Sequence, residues 1–330
     1  MMTKIAIVNS KSFGRYYPEH ISRLEKIGAV DRIFVDKDID GISLAKELKD
    51  YKYIITSVTP NYTREFFENA PNLELISRDG LGYNSIDTKA ATDHGVIVTK
   101  LVGDHERNTV AELAVTFLTN QNRMVLQADR ALKDNEWDRK AEFVGKEFFN
   151  MTVGIIGFGS IGSRVGEIMR FGFGSKVLAY DPNKSKEEIE ASGAIKVELN
   201  ELLNKSDAIS LNAMVTDESK YIINKNTISQ MKDGVLIANT ARGALVVEDD
   251  IIDSLKSGKI GSYATDVYEI EPINSNHPFV QFDNVILTPH IGGYTDTSLW
   301  GMGDKCVVDV EKLSKGEKLE GVVNPEVLNN

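Results

Sequence analysis

The sequence predicts an α/β protein built as two doubly wound parallel sheets. Three observations carry that expectation. Short apolar runs rich in β-branched residues alternate with helical patterns from residue 3 to residue 287, the rhythm of parallel strands with helices on both faces. Those runs are continuously apolar, as strands covered on both faces must be. A Gly-x-Gly-x-x-Gly sequence, Gly157, Gly159 and Gly162, stands in mid-chain between a strand-like run and a helical one. It opens the second sheet, so the first sheet is a separate unit placed before it.

The whole chain sets limits. Its 330 residues favour two domains, and 42% hydrophobic content supports a full core. The net charge of -11 argues against nucleic acid or an anionic membrane as partner. A small anionic substrate stays open, because a few local arginines outweigh the global field. The only cysteine is Cys306, which leaves no disulfide framework and no cysteine-based metal site; no metal is expected. The Met1–Ser10 stretch has too short an apolar run for a signal peptide, and no segment approaches the ~18 apolar residues of a membrane span. The expectation is a soluble cytoplasmic protein.

In the first unit, strands are predicted at Ile5–Val8, Ile33–Val35, Tyr53–Ile55, Leu73–Ile76 and Val96–Val98. Helical patterns lie between them at Glu19–Ile27, Ser43–Lys49, Thr63–Glu68 and Thr88–Asp93. The loop Arg78, Asp79, Gly80, Leu81 and Gly82 follows the fourth strand. Ligands of open α/β sheets sit beyond the carboxyl ends of strands, and two glycines there can turn successive N–H groups towards an anion. Residues 101–108 are polar and irregular, and the chain is expected to cross between units there. Thr109 and Glu112 fit a capping box, opening a long helix that runs towards Ala131.

The run Val153–Ile156, the glycines, a helix over Ser160–Phe171, a strand over Lys176–Tyr180 and the terminal Asp181 form one strand–turn–helix–strand unit. Gly157 permits the tight turn, Gly159 lets backbone approach a pyrophosphate, and Gly162 lets the helix sit close to the strand. The helix N-terminus offers unpaired N–H groups to phosphate. Asp181 can accept from a ribose hydroxyl and would repel a 2′-phosphate, which points to NAD. This is the Rossmann fingerprint; the first unit, from its own alternation of strands and helices, is expected to be flavodoxin-like. Ser185 and Glu188 make a second capping box. Further strands are predicted at Ile195–Val197, Ala208–Leu211, Val235–Ala238, Ser262–Ala264 and Val285–Leu287, with helices at Leu199–Asn204, Lys225–Met231 and Glu248–Leu255. A last helix, from Asp296 to about Leu313, returns the chain to the first unit.

Three segments follow strands of the second sheet: Asn239-Thr240-Ala241-Arg242-Gly243, Asp266-Val267-Tyr268-Glu269-Ile270-Glu271-Pro272 and Thr288-Pro289-His290-Ile291-Gly292-Gly293. With the loop at 80–82 and the fingerprint at 157–162, the chain resembles the D-isomer-specific 2-hydroxyacid dehydrogenase family over nearly its full length. The resemblance implies an active site of Arg242, Glu271 and His290, with Asp266 near the nicotinamide amide. It implies a D product and a homodimer, with the helix from Thr109 as candidate interface. Asn84 stands where many members have Asp, and 101–108 lacks a Pro-rich sequence common there. No regulatory domain is expected after the return helix.

The chemistry of these side chains agrees with those roles. Arg242 offers a planar fork to a carboxylate. His290 can give a proton to a carbonyl oxygen and take it back from a hydroxyl. Glu271 can bond the other imidazole nitrogen, fixing its tautomer. Cofactor contacts are expected from Gly157, Phe158, Gly159, Ser160, Ile161 and Gly162, from Asp181, and from Thr109, Thr240 and Asp266. Substrate contacts are expected from Arg78, Asp79, Gly80, Leu81, Gly82 and Arg242. Residues 1–104 and 296–330 are expected to form the substrate domain and 105–295 the NAD-binding domain, with a cleft that closes on substrate.

The expected function is NAD-dependent interconversion of a small D-2-hydroxy acid and its 2-keto acid. One alternative is 3-phosphoglycerate dehydrogenation, with Arg78 meeting the phosphate. Another, of a different class, is a dinucleotide-sensing protein like the transcriptional corepressors built on this fold. NADH turnover with a panel of 2-keto acids separates them.

Overall fold

A computed structural model of the chain describes residues 3–102 and 104–329. Gly103, inside the expected crossover at 101–108, lies outside the described residues. The chain forms two compact units. One runs up to His105 and resumes at Gly293; the other spans Glu106–Gly292.

The first unit holds β1 (Lys4–Val8), β2 (Ala29–Ile33), β3 (Tyr53–Thr56), β4 (Leu75–Arg78) and β5 (Ile97–Thr99). They pair in parallel in the order β2-β1-β3-β4-β5, the flavodoxin-like arrangement. Successive residues of one strand enter opposite layers. Ile5 and Ile7 pack with Leu24 and Val307, while Ala6 and Val8 pack with Leu44 and Phe66. That two-sided burial is why the strands read as unbroken apolar runs. The second strand is a correction: it lies at Ala29–Ile33, earlier than the Ile33–Val35 run. As an edge strand it keeps Asp31 and Arg32 exposed, so its apolar signal is weak. Its pairing with β1 ends at Val8 and Ile33, after which the Asn9 side chain takes over and accepts from Val35 N.

The second unit holds β6 (Thr152–Ile156), β7 (Lys176–Tyr180), β8 (Ile195–Lys196), β9 (Ala208–Leu211), β10 (Val235–Asn239), β11 (Ile260–Thr265) and β12 (Val285–Leu287). The parallel order is β12-β11-β10-β9-β6-β7-β8. The order reverses between β6 and β9, the crevice where doubly wound sheets bind nucleotides. The Gly157–Gly162 turn follows β6 at that point.

Three local expectations are corrected. The long helix is two: Arg107–Arg123 and Val125–Lys133, separated by Met124 in the left-handed region at φ 47°. The interruption has a cause inside the unit. Asn122 pairs with the 145–146 segment, its side-chain amide donating to Lys146 O at 2.7 Å and accepting from Lys146 N at 3.2 Å. Gly145 lies so close that a Cβ would sit 2.1 Å from Asn122 O. The Thr109 capping box does not form, because the helix begins earlier, with Glu106 at its N-cap, and Thr109 lies inside the first turns. The fingerprint helix stays α-helical only over Ser160–Glu167 and continues as a π-helical turn over Ile168–Gly172. The Ser185–Glu188 capping box is present in full. Among the described residues no helix is long and apolar enough to cross a membrane.

Candidate active site

The glycine turn has the geometry its sequence requires. Gly157 has φ +85°, and a Cβ there would lie 2.5 Å from Ala213 N. At Gly162 a Cβ would lie 2.0 Å from Gly157 O, so the helix can rest on the turn only without a side chain. Gly159 differs: a Cβ would meet nothing within 4 Å. No protein atom demands glycine at 159, and the open backbone beside a helix N-terminus is what a pyrophosphate needs. Phe158 turns its ring into the core and donates its N–H to Asp181 Oδ2 at 2.8 Å, while Asp181 Oδ1 accepts from Asn183 N at 2.9 Å. Asp181 thus ties the turn to the end of β7, and each oxygen keeps a lone pair for a ribose hydroxyl. Ser160 and Ile161 form the first turn of the helix. Thr240 is buried, and its Oγ1 has no hydrogen-bond partner among the described residues. Thr109 is likewise buried.

Arg242 follows β10 in extended backbone. Asn239, the last residue of β10, shapes the loop: its Oδ1 accepts from Ala241 N at 3.1 Å, and its Nδ2 donates to Arg242 O at 3.0 Å. The signal for this role in the sequence is the Asx-turn propensity of Asn, which the expected site residues leave out. Arg242 Nη1 donates to Ala241 O at 2.6 Å. Gly243 is indispensable here, since a Cβ would fall 2.0 Å from Tyr268 C. The loop after β10 therefore lies directly against the loop that carries Glu271.

His290 and Glu271 meet. Nδ1 of His290 is 2.7 Å from Glu271 Oε2, and Glu271 Oε1 accepts from Tyr268 N at 3.0 Å. Burial pushes the Glu271 carboxyl up, but the His290 hydrogen bond and charge, the Tyr268 N–H and the Arg242 charge outweigh it and hold the carboxyl below its ordinary value. Glu271 is therefore ionised at neutral pH and binds the Nδ1–H of the ring. The bond engages Nδ1 alone, so Nε2 lies on the side of the ring away from Glu271. His290 has φ +55°, a left-handed conformation that costs a non-glycine residue about 1–3 kcal/mol and persists only where its surroundings enforce it. Asp266 is buried, its carboxylate bonded to Thr288, Ile291 and Gly292.

His277 sits nearby and does a different task. Its Nδ1 accepts from Phe279 N at 3.3 Å, and its Nε2 lies 3.2 Å from Glu248 Oε2. It caps the short helix Pro278–Gln281.

In the first unit the Arg78–Gly82 loop is less open than its glycines suggest. Asp79 N donates to Thr56 O and Gly80 N to Arg78 O, both at 2.9 Å. Two of the expected anion donors are thus taken by the protein. The N–H groups of Leu81 and Gly82 have no such acceptor among the described residues. Arg78 is buried and donates through Nη1 to Asp79 O. The Asp79 side chain faces Ser10, and burial raises its carboxyl against the opposing Arg78 charge and Ser10 hydrogen bond.

Comparison with known proteins agrees with this geometry. The NAD-binding domain of the D-isomer specific 2-hydroxyacid dehydrogenases matches residues 115–292. The chain is 36% identical over 309 residues to the D-3-phosphoglycerate dehydrogenase of Methanocaldococcus jannaschii, covering 93% of this chain and 58% of that one. It spans little more than half the length of the phosphoglycerate dehydrogenase relatives it matches. It is 32% identical over 321 residues to the glyoxylate reductase of Pyrococcus furiosus, covering 95% of each. The D-lactate dehydrogenase of Aquifex aeolicus, solved with NAD and lactic acid, superposes with a TM-score of 0.84 at 28% identity, covering 98% of this chain and 97% of that one. The matched domain is the one that binds NAD, in keeping with the open turn at Gly159 and the acidic end of β7. With the fingerprint, the strand order and the Arg, Glu and His loops all in place, the chain belongs to the D-isomer specific 2-hydroxyacid dehydrogenase family.

Proposed function

We propose that this protein is an NAD-dependent oxidoreductase that interconverts a small D-2-hydroxy acid and its 2-keto acid. The observation that carries the reading is the 2.7 Å contact between His290 Nδ1 and the ionised Glu271, in a loop packed against the one bearing Arg242. When bound, NAD supplies or accepts the hydride. The remaining work falls to the protein. Arg242 binds the substrate carboxylate through its planar fork, which fixes the acid end. His290 Nε2 gives a proton to the developing alkoxide during reduction and removes it from the hydroxyl during oxidation. Glu271 compensates the imidazolium that exists before the one step and after the other. Of the loop in the first unit, Leu81 and Gly82 are the donors we assign to an anion.

The Arg78 guanidinium, which the 3-phosphoglycerate alternative assigns to a phosphate, is buried and donates to Asp79 O. Asp181 supports NAD over NADP, because a 2′-phosphate would face its carboxylate. The protein is further proposed to act as a homodimer. Val125, Leu126, Leu132, Trp137, Val144 and Phe149 expose apolar side chains along one stretch of the second unit, a concentration that suits a second copy.

The test is turnover of glyoxylate, pyruvate, hydroxypyruvate and phosphohydroxypyruvate with NADH and with NADPH, followed by chiral analysis of the product formed from pyruvate. Reduction of the unphosphorylated acids, preference for NADH and a D product are expected. An L product or a racemate contradicts the assignment of Arg242 and His290. NADH binding without turnover of any acid would favour a dinucleotide-sensing protein.

A further inference from the structure

Asp266 moves no proton in this scheme, yet it is the most heavily bonded carboxylate beside His290. It follows β11 directly and is 1% exposed. Its Oδ1 accepts from Thr288 Oγ1 at 2.6 Å and from Ile291 N at 2.7 Å; its Oδ2 accepts from Gly292 N at 2.7 Å. Ile291 and Gly292 are the two residues after His290, whose φ is +55°. Left-handed backbone of this kind turns successive N–H groups to one side, making a nest for an anion. Here the anion is the protein's own carboxylate. Gly292 belongs to the fit, since a Cβ there would lie 3.0 Å from Asp266 Oδ2. The brace extends to Glu271: Tyr268 Oη donates to Thr288 O at 2.9 Å, and Tyr268 N donates to Glu271 Oε1.

We propose that Asp266 is the positioning residue of His290: its carboxylate, held in the amide nest that follows His290, keeps that residue left-handed and its ring on Glu271. This rests on the reading of His290 as the proton-transfer residue. It differs from the role implied by the family resemblance, a contact with the nicotinamide amide. Burial raises the Asp266 carboxyl, and the Thr288, Ile291 and Gly292 hydrogen bonds with the His290 charge oppose that rise. The same donors that bind the anion therefore help to keep it one. An asparagine at 266 would retain one acceptor oxygen and bring an NH₂ group against one of the two amides.

Two measurements on the full chain test this. Asp266→Asn should lower kcat by about 10²-fold, the scale of a small misplacement of a reacting group, while the NADH dissociation constant stays close to that of the unsubstituted protein. Urea unfolding of Asp266→Asn, His290→Gly and the double variant, at alkaline pH where an imidazole carries no charge, should be non-additive. Glycine adopts the left-handed conformation freely, so the asparagine should destabilise less once position 290 is glycine. The cycle needs no substrate, so it decides the proposal even if the protein turns over none of the acids. Strict additivity, or a loss of NADH affinity as large as the loss of kcat, overturns it. If Asp266→Asn does not fold, Thr288→Val removes one donor only. It should lower kcat and the unfolding midpoint in the same direction by less, and an unchanged kcat in the folded variant overturns the proposal.

Discussion

At the scale of single residues, three loops place three side chains, and each loop is shaped by a neighbour that does no chemistry. Asn239 folds the turn before Arg242, Tyr268 donates to Glu271, and Asp266 holds the backbone after His290. The Glu271 carboxyl lies below its ordinary value, so it remains an anion throughout the neutral range. In the proposed scheme that anion holds the ring through Nδ1. Glu271→Gln removes the negative charge and keeps a hydrogen-bonding group. A ring held less firmly should lower kcat for keto-acid reduction by about 10²-fold, the scale of a small misplacement of a reacting group. The check is the rate of single-turnover NADH oxidation. A rate that coincides with the wild-type one would show that Glu271 does not position His290.

At the scale of elements, the helix Asp296–Ser314 is bound to the sheet of its own unit by a buried ion pair. Lys305 Nζ donates to both oxygens of Asp309 at 2.6 Å, and Ser77 at β4 and Thr99 at β5 donate to Oδ2 at 2.9 and 2.6 Å. Both charged groups are buried. Burial pushes the Asp309 carboxyl up, against the pull of Lys305 and the two hydroxyls. Replacing Lys305 by Met leaves a buried carboxylate without its cation, which should cost about 3–5 kcal/mol at neutral pH. The pH dependence has a definite sign. With the cation gone, the folded-state carboxyl is raised further above its unfolded value, so folding favours the protonated form. The deficit should therefore be largest at neutral pH and shrink as the pH falls through the raised value, where the carboxyl becomes neutral. Urea unfolding at pH 7 and pH 5 measures both quantities. A deficit that is constant or grows towards acid would contradict the uncompensated-anion account.

At the scale of the molecule, the exposed apolar stretch from Val125 to Phe149 bears on assembly. The helix Arg107–Arg123 gives most of its apolar face to its own sheet, with Gln121 reaching Ile237 O at 2.9 Å, so the following helix and loop carry the uncovered surface. Sedimentation equilibrium of the wild-type protein should give twice the chain mass. Trp137→Asp combined with Leu132→Asp should shift the equilibrium towards the monomer. A wild-type monomer at micromolar concentration would refute the homodimer, and an undisturbed dimer in the variant would place the interface elsewhere.

Much of this was legible in the sequence. Both sheets, their apolar strands and the helices between them follow from two-sided burial, which imposes unbroken hydrophobic runs. Gly157, Arg242, Glu271 and His290 stood out because each lies in a short loop after a strand, where a parallel sheet places its ligands. What sequence could not decide depends on partners distant along the chain. The edge strand β2 slipped to Ala29–Ile33 because exposure weakens the apolar signal and only pairing with β1 sets the register. The helix break at Met124 comes from a segment some 20 residues later, whose amide and carbonyl fit the Asn122 side chain. The glycine loop after β4 promised a row of free amides, but Thr56 O and Arg78 O accept two of them. Asp266 shows the division most plainly. The family resemblance implied only a place near the nicotinamide amide, and it is the tertiary structure that bends the chain 25 residues later around its carboxylate. Local sequence determines which groups can donate and accept; which of them meet is determined by the packing of the whole chain.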